Sequence, residues 1–208
     1  MTNHKHLKYF IKVWLIPAII GILIAVFLRS NYFSFVRITG VSMEPNLVNN
    51  QITLLKKKAR VSRGTVIVFK AARSQSANTG LDSLALRVIG LPGDKISFLR
   101  GHLLVNGKQV NESFLTAPEK AATSMSVDSG WSLNSLSLNS NWPKNQRNIK
   151  RVAKGTYFVL ADNRLDPIDS RQYGLVKKTD VRGVLSVFPW AGKKIVKNVN
   201  HTSENFYR

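Results

Sequence analysis

One stretch near the N-terminus constrains this chain more than any other. From Val13 to Leu28 it reads VWLIPAIIGILIAVFL, without a charged or polar side chain. Counting back across Lys12 to Tyr9 gives about the 20 residues that cross a hydrocarbon layer roughly 30 Å thick, and Lys12 can reach back to the interface along its methylene stem. A buried core helix of a small domain is rarely apolar on every side. A cleavable leader needs small residues one and three positions before the cut, and Phe27, Leu28 and Arg29 supply none. Residues 9–29 therefore read as an uncleaved anchor behind a tail of residues 1–8. The tail carries His4, Lys5, His6 and Lys8, and only Arg29 closely follows the apolar run, so the charge bias places the N-terminus in the cytoplasm and residues 30–208 outside. Tyr32, Phe33 and Phe35 are then expected at the outer interface.

Charge is the next constraint. Lys+Arg 31 against Asp+Glu 11 gives a formal +20. Lys5, Lys8, Lys12 and Arg29 account for four of these, so the outer part carries +16 and attracts anionic matter such as lipid headgroups. An outward-facing domain does not meet chromosomal DNA, and its lysines read as a solvated face, so nucleic acid is not an expected partner. The absence of Cys removes disulfides, thiolate metal sites and a cysteine nucleophile. His4, His6, His102 and His201 show no pairing at metal-ligand spacing. No metal and no cofactor are expected.

Beyond the anchor, short runs rich in Val, Ile and Phe alternate with turn residues. Ile52–Leu55, Thr65–Phe69, Leu86–Ile89, Ile96–Leu99, Leu103–Val105, Tyr157–Leu160 and Val184–Phe188 have strand length and composition. Asn106-Gly107 separates two such runs and signals a hairpin turn with positive φ at both central residues. The expectation is a mainly β fold of antiparallel sheets. Residues 113–150 are rich in Ser, Asn and Thr, with Trp131 and Trp142 as the only large aromatics after Phe114. They read as an irregular insertion or a disordered loop.

Four blocks carry the chemistry. They are Gly40-Val41-Ser42-Met43-Glu44-Pro45-Asn46-Leu47, then Gly64-Thr65-Val66-Ile67-Val68-Phe69, then Arg87-Val88-Ile89-Gly90-Leu91-Pro92-Gly93-Asp94, and last Ala161-Asp162-Asn163-Arg164 with Asp169-Ser170-Arg171. In this order they resemble the type I signal peptidases, over Ile38 to Trp190. That resemblance implies an extracytoplasmic β fold that clips signal peptides from exported preproteins after small residues at −3 and −1. It also implies Ser42 as nucleophile, with its own backbone amide donating to the oxyanion. Gly40 falls where some members add a serine hydroxyl as second donor. Arg87, Asp169 and Arg171 are implied as an ion-pair set bracing the site, while Gly90, Pro92 and Gly93 shape the turn. Asp94, Asp162, Asn163 and Arg164 are implied to hold neighbouring loops together.

The chain departs from the pattern where the base belongs. Serine needs a base to act as a nucleophile at neutral pH, and the family's is a lysine kept neutral by burial. Here that position is Leu86, which accepts no proton. The serine that hydrogen-bonds the lysine falls on Pro167, and the glycine opening the last block is Ala161. Two readings follow: a serine endopeptidase using Ser42 with a substitute base such as His102, Lys95 or one of Lys56 to Lys58, or a non-catalytic assembly factor that keeps the peptide groove. In either case the expected partners are signal peptides of preproteins and membrane lipids.

Overall fold

The computed structural model describes residues 9–71, 82–125, 130–165 and 168–208. The expected tail at 1–8 and Pro167 lie outside the described residues. The chain divides into two compact units, Met1–Ser34 and Phe35–Arg208.

In the first unit a helical stretch begins with a π-helical segment, Ile11–Leu15, and continues as helix α1, Ile16–Asn31, with Pro17 in its first turn. Pro17 follows directly on the π-helical segment, and such local changes of helical hydrogen bonding accommodate a residue without an N–H inside a membrane-type helix. The 21 residues Ile11–Asn31 form a helix long and apolar enough to cross a membrane, and none of the span is buried against protein.

The second unit, with the first two residues of β1 lying just before its boundary, is built on two antiparallel sheets. The larger has the strand order β1-β2-β11-β3-β4-β9-β10. Its strands are β1 (Phe33–Arg37), β2 (Ile52–Lys56), β3 (Val66–Lys70), β4 (Ser83–Gly90), β9 (Thr156–Leu160), β10 (Val176–Lys177) and β11 (Val181–Ser186). The smaller has the order β7-β6-β5-β8, with β5 (Ile96–Leu99), β6 (His102–Val105), β7 (Lys108–Gln109) and β8 (Trp131–Ser132). Each run expected to be a strand lies on one, with ends shifted by a few residues. Asn106 and Gly107 take φ 54° and 80°, and Val105 pairs with Lys108 across them, so the anticipated hairpin forms.

Alternation along β4 and β9 creates two cores. Leu84, Leu86, Val88, Tyr157 and Val159 belong to one buried cluster, with Met43, Leu47 and Ile67, while Ile89, Phe158 and Leu160 belong to the other. Successive side chains of a strand point to opposite faces, so the central sheet is covered on both sides.

Residues 113–150 correct one expectation. Their described part is not irregular: it contains helix α2 (Ala117–Met125), strand β8 and helix α3 (Leu133–Ser137). Trp131, Leu133 and Trp142 are buried in the second core. Trp131 stacks on Phe98 at 5.8 Å. Polar composition hid this because a few large aromatics hold the segment down, each burying on the order of 150–250 Å².

Candidate active site

Ser42 sits in a turn segment directly after Ile38–Thr39 and is partly exposed. Glycine at position 40 is explained by its backbone, since φ is 95°, a conformation in which a Cβ is strained. The Gly40 N–H donates to Asn49 Oδ1 at 3.1 Å. Asn163 fixes the next two residues: its N–H donates to the Ser42 carbonyl at 3.0 Å and its Nδ2 to the Val41 carbonyl at 3.3 Å. The loop after β9 thus holds the segment that carries Ser42 by its backbone.

Behind the turn lies a closed polar network. Asp162, fully buried, accepts from Arg87 Nε at 2.7 Å and Arg87 Nη2 at 2.6 Å. Asn46 Nδ2 donates to Asp162 at 2.9 Å and to the Phe114 carbonyl at 2.9 Å. Asn198 Nδ2 donates to Asn46 Oδ1 at 2.8 Å. Arg87 Nη1 donates to the Gly64 carbonyl and to Thr202 Oγ1, and Thr202 Oγ1 donates to the Asn198 carbonyl. The guanidinium also lies 4.1 Å from the Phe114 ring centroid. A buried charge is tolerated only when paired and hydrogen-bonded, and each nitrogen of this guanidinium has an acceptor.

The expected set of Arg87, Asp169 and Arg171 therefore separates into two pairs. Arg87 binds Asp162, 75 residues away, while Asp169 takes Arg171 Nη2 at 2.8 Å and Nε at 3.0 Å. Asp169 also caps helix α4 (Ser170–Tyr173) through the Arg171 N–H and accepts from the Ala161 N–H at 3.1 Å. Asp94 works elsewhere than expected, apart from Asp162, Asn163 and Arg164. Burial would raise its pKa, but the Arg63 fork at 2.7 and 2.8 Å, the Leu91 N–H and Asn106 together hold it below its ordinary value. Arg164, itself fully buried, pairs with the partly buried Glu112 at 3.1 Å, and burial lowers the Arg164 pKa.

A groove of about 260 Å³ lies between β1 with the two residues after it and the start of β4. Val36, Ile38 and Thr39 form one wall, and Ser83, Leu84 and Ala85 the other. β1 is the last strand of its sheet, with only β2 beside it. β4 pairs with β3 from Ser83 to Arg87 but with β9 only from Arg87 onward. Its first four residues thus keep one edge outside the ladder, facing the groove. In sequence, Thr39 stands three residues before Ser42 and Ala85 immediately precedes Leu86; the lining itself stops at Thr39 and Ala85.

The comparisons with known proteins bear on this arrangement. The sequence model of the family described as "Signal peptidase, peptidase S26" matches residues 11–190. The chain belongs to that family. It is 29% identical to signal peptidase I V of Bacillus subtilis (strain 168) over 84% of this chain and 96% of the relative. With signal peptidase IB of Staphylococcus aureus (strain N315) it shares 29% identity over 90% of this chain and 93% of the relative. A crystal structure of a signal peptidase I from Enterococcus faecalis V583 is 31% identical and aligns with TM-score 0.47, covering 62% of this chain and 98% of that one.

Within this peptidase family's pattern, Leu86 is buried with 1% exposure in the first core, opposite Ile67 on β3. It is an ordinary core side chain here. Of the substitute bases considered, His102 is exposed on the smaller sheet with Nδ1 3.0 Å from Gln109 Nε2. The Lys95 side chain is exposed, and Lys57 and Lys58 line a different cleft. None of them lines the groove. Ala161 is fully buried within the first core. Sequence reasoning gave no role to Asn46, Asn198 or Thr202. Asn46 stood inside the quoted motif, but asparagine in a turn ordinarily serves its own backbone, and nothing marked the C-terminal segment.

Proposed function

We propose that the chain is a type I signal peptidase: a membrane-anchored serine endopeptidase that takes the signal peptide of an exported preprotein as an extended strand between β1 and β4 and cuts after small residues at −3 and −1. The observation that carries this reading is the groove between two strand edges, one wall of which runs to Thr39, three residues before Ser42 in sequence. An extended peptide fits such a place through main-chain hydrogen bonds, and small lining pockets select alternate side chains. Val36, Ile38, Val68 and Leu84 offer it apolar contacts, and Arg37, Asp82 and Arg182 add charged groups to its lining. Ser42 is the nucleophile in this reading, and its backbone amide receives the developing oxyanion. Arg87, Asp169 and Arg171 act at a distance, by holding the loops that present it.

The proposed topology puts the N-terminus in the cytoplasm and Phe35–Arg208 at the outer membrane surface. An exposed aromatic group supports a lipid-facing position: Phe188 stacks on Trp190 at 4.8 Å and lies 6.3 Å from Phe35, with Trp190 80% exposed. Aromatic side chains of this kind favour the membrane interface.

Leu86 favours a second reading, in which the same groove holds exported proteins without cutting them. Losing one member of a serine catalytic set leaves only about 10³- to 10⁴-fold acceleration over water. One experiment separates the two. The full chain in neutral detergent is mixed with a preprotein carrying Ala at −3 and −1. Release of the mature chain by wild type and not by Ser42→Ala supports the peptidase. Binding without release supports the docking factor, and neither binding nor release rejects both.

A further inference from the structure

The segment after residue 190, where the matched family pattern stops, reaches into the polar network behind the Ser42 turn. It forms helix α5 (Lys193–Asn200). Asn200 pins this helix to the end of β11: its Oδ1 accepts from Ser186 Oγ at 3.0 Å and from the Val187 N–H at 2.9 Å, and its Nδ2 donates to the Val187 carbonyl at 3.0 Å. Val199 is buried in the first core. Further on, the Asn111 N–H donates to the Phe206 carbonyl and the Arg208 N–H to the Gln109 carbonyl. Contacts outside the network thus hold Asn198 and Thr202 in place.

These two residues touch two of the motif blocks. Asn198 is buried and donates from Nδ2 to Asn46 Oδ1 at 2.8 Å, while its carbonyl accepts from Thr202 Oγ1, which in turn accepts from Arg87 Nη1. Gly64 makes room for this approach, since with φ 85° a Cβ there would stand 3.1 Å from the Ser203 nitrogen and the Thr202 carbonyl carbon. Asn46 belongs to the turn segment of Ser42, in which the Glu44 N–H donates to the Val41 carbonyl at 3.0 Å and the Leu47 N–H to the Met43 carbonyl at 2.9 Å. Its amide nitrogen is committed to Asp162 and to the Phe114 carbonyl. Turned over, the amide would aim its oxygen at the Asp162 carboxylate and its N–H groups at the Asn198 nitrogen, which is repulsive on both sides. The Asn198 donor therefore decides which way Asn46 faces. Because Asn46 is itself buried, its oxygen stays unsatisfied once that donor is gone.

We infer that Asn198 is a positioning residue for the peptidase site: acting through Asn46, it sets the place of the turn that presents Ser42. The effect on turnover rests on the peptidase reading above, whereas the effect on the turn does not. A misplacement of about 1 Å caused far from the reacting atoms costs on the order of 100-fold in rate, so a hydrogen bond made from the C-terminal helix reaches the chemistry. Asn198 does not line the peptide groove. Its loss therefore falls on kcat and leaves KM nearly unchanged.

The test compares the full chain in neutral detergent as wild type, as Asn198→Leu, which has a similar shape and no donor, and as Val199→Ala, which loosens the same helix without touching the network. Hydrogen exchange is read on the Glu44 and Leu47 amides of the turn and on strands β3 and β9, and cleavage is read on a preprotein with Ala at −3 and −1. Asn198→Leu should raise exchange in the turn at least about tenfold and leave the two strands within about twofold. Its kcat should fall at least about tenfold with KM within about threefold. Val199→Ala should show neither change. The double variant Asn46→Ala with Asn198→Leu should lose no more than Asn46→Ala alone, because the contact is already gone. Asn198→Ala is measured alongside, so that a folding failure of the leucine variant leaves the same comparison standing. A wild type that cuts nothing contradicts the peptidase reading, and the exchange comparison then decides the positioning role by itself. Turn exchange unchanged in Asn198→Leu, a rise spread equally over turn and strands, or a loosened turn with kcat unchanged overturns the inference.

Discussion

Arg87 and Asp162 hold each other by two short hydrogen bonds, 2.7 and 2.6 Å, with both side chains sealed from solvent. Asp162 also receives Asn46 from the nucleophile segment, so one carboxylate joins β4, the loop after β9 and the turn bearing Ser42. Removing one member leaves the other as an uncompensated buried charge. Arg87→Ala should therefore lower stability by about 3–5 kcal/mol, read as the denaturant midpoint of the full chain in detergent. Arg87→Leu with Asp162→Leu should cost clearly less than the sum of the two single changes. Additive losses would mean the pair is not coupled.

Leu86 gives a sharper expectation because of where it sits. A lysine placed at this fully buried position is driven toward its neutral form, with its pKa below that of the unfolded chain. The unfolded state then binds more protons, so the deficit of Leu86→Lys relative to wild type should shrink as pH rises from about 7 toward 10. Thermal melts across that range check the sign. A pH-independent deficit would place the new ammonium in solvent. If the base was simply lost from an otherwise intact site, Leu86→Lys with Pro167→Ser should also raise preprotein cleavage, measured as initial rate.

Much of the fold was legible in the sequence, and the reasons are local. Ile96–Leu99 and Tyr157–Leu160 are strands because β-branched and aromatic residues suit a pleated surface packed on both sides. Asn106-Gly107 forms its turn because both residues tolerate positive φ. The apolar run through Val13–Leu28 needed no tertiary information at all. Non-local facts were hidden. Arg87 has acidic candidates at 162 and 169, each followed within two residues by an arginine, and only the fold decides which carboxylate it meets. Trp131 and Trp142 were visible, but their burial depends on a second core to which residues far apart in sequence contribute.

Tyr173 carries a hydroxyl sealed from solvent and without a hydrogen-bond partner. Burial, and then the charge of Asp169, push its pKa well above the ordinary value, so it stays neutral throughout the usual range. An unsatisfied buried hydroxyl costs on the order of 1–3 kcal/mol. Tyr173→Phe is expected to leave the protein as stable or raise its melting temperature. A clear loss of stability would show that the hydroxyl has a partner in solution.

Asp94 should set part of the acid limit. Its folded pKa is held below the ordinary 3.8, so its stabilising contribution is present above that value and disappears as pH falls through the lower, folded pKa. The melting temperature of wild type should fall more steeply below about pH 4 than that of Asp94→Asn, which has no proton to take up there. Parallel curves would remove Asp94 from the acid response.

The groove between β1 and β4 is tested most directly by where a bound signal peptide lies. A preprotein carrying a photoreactive residue at −3, irradiated with the full chain in detergent, should form adducts within residues 36–39 or 83–85, with wild type and with Ser42→Ala alike. Adducts confined to other surfaces, or labelling of those two segments that survives a groove-filling Ala85→Trp change undiminished, would contradict the account.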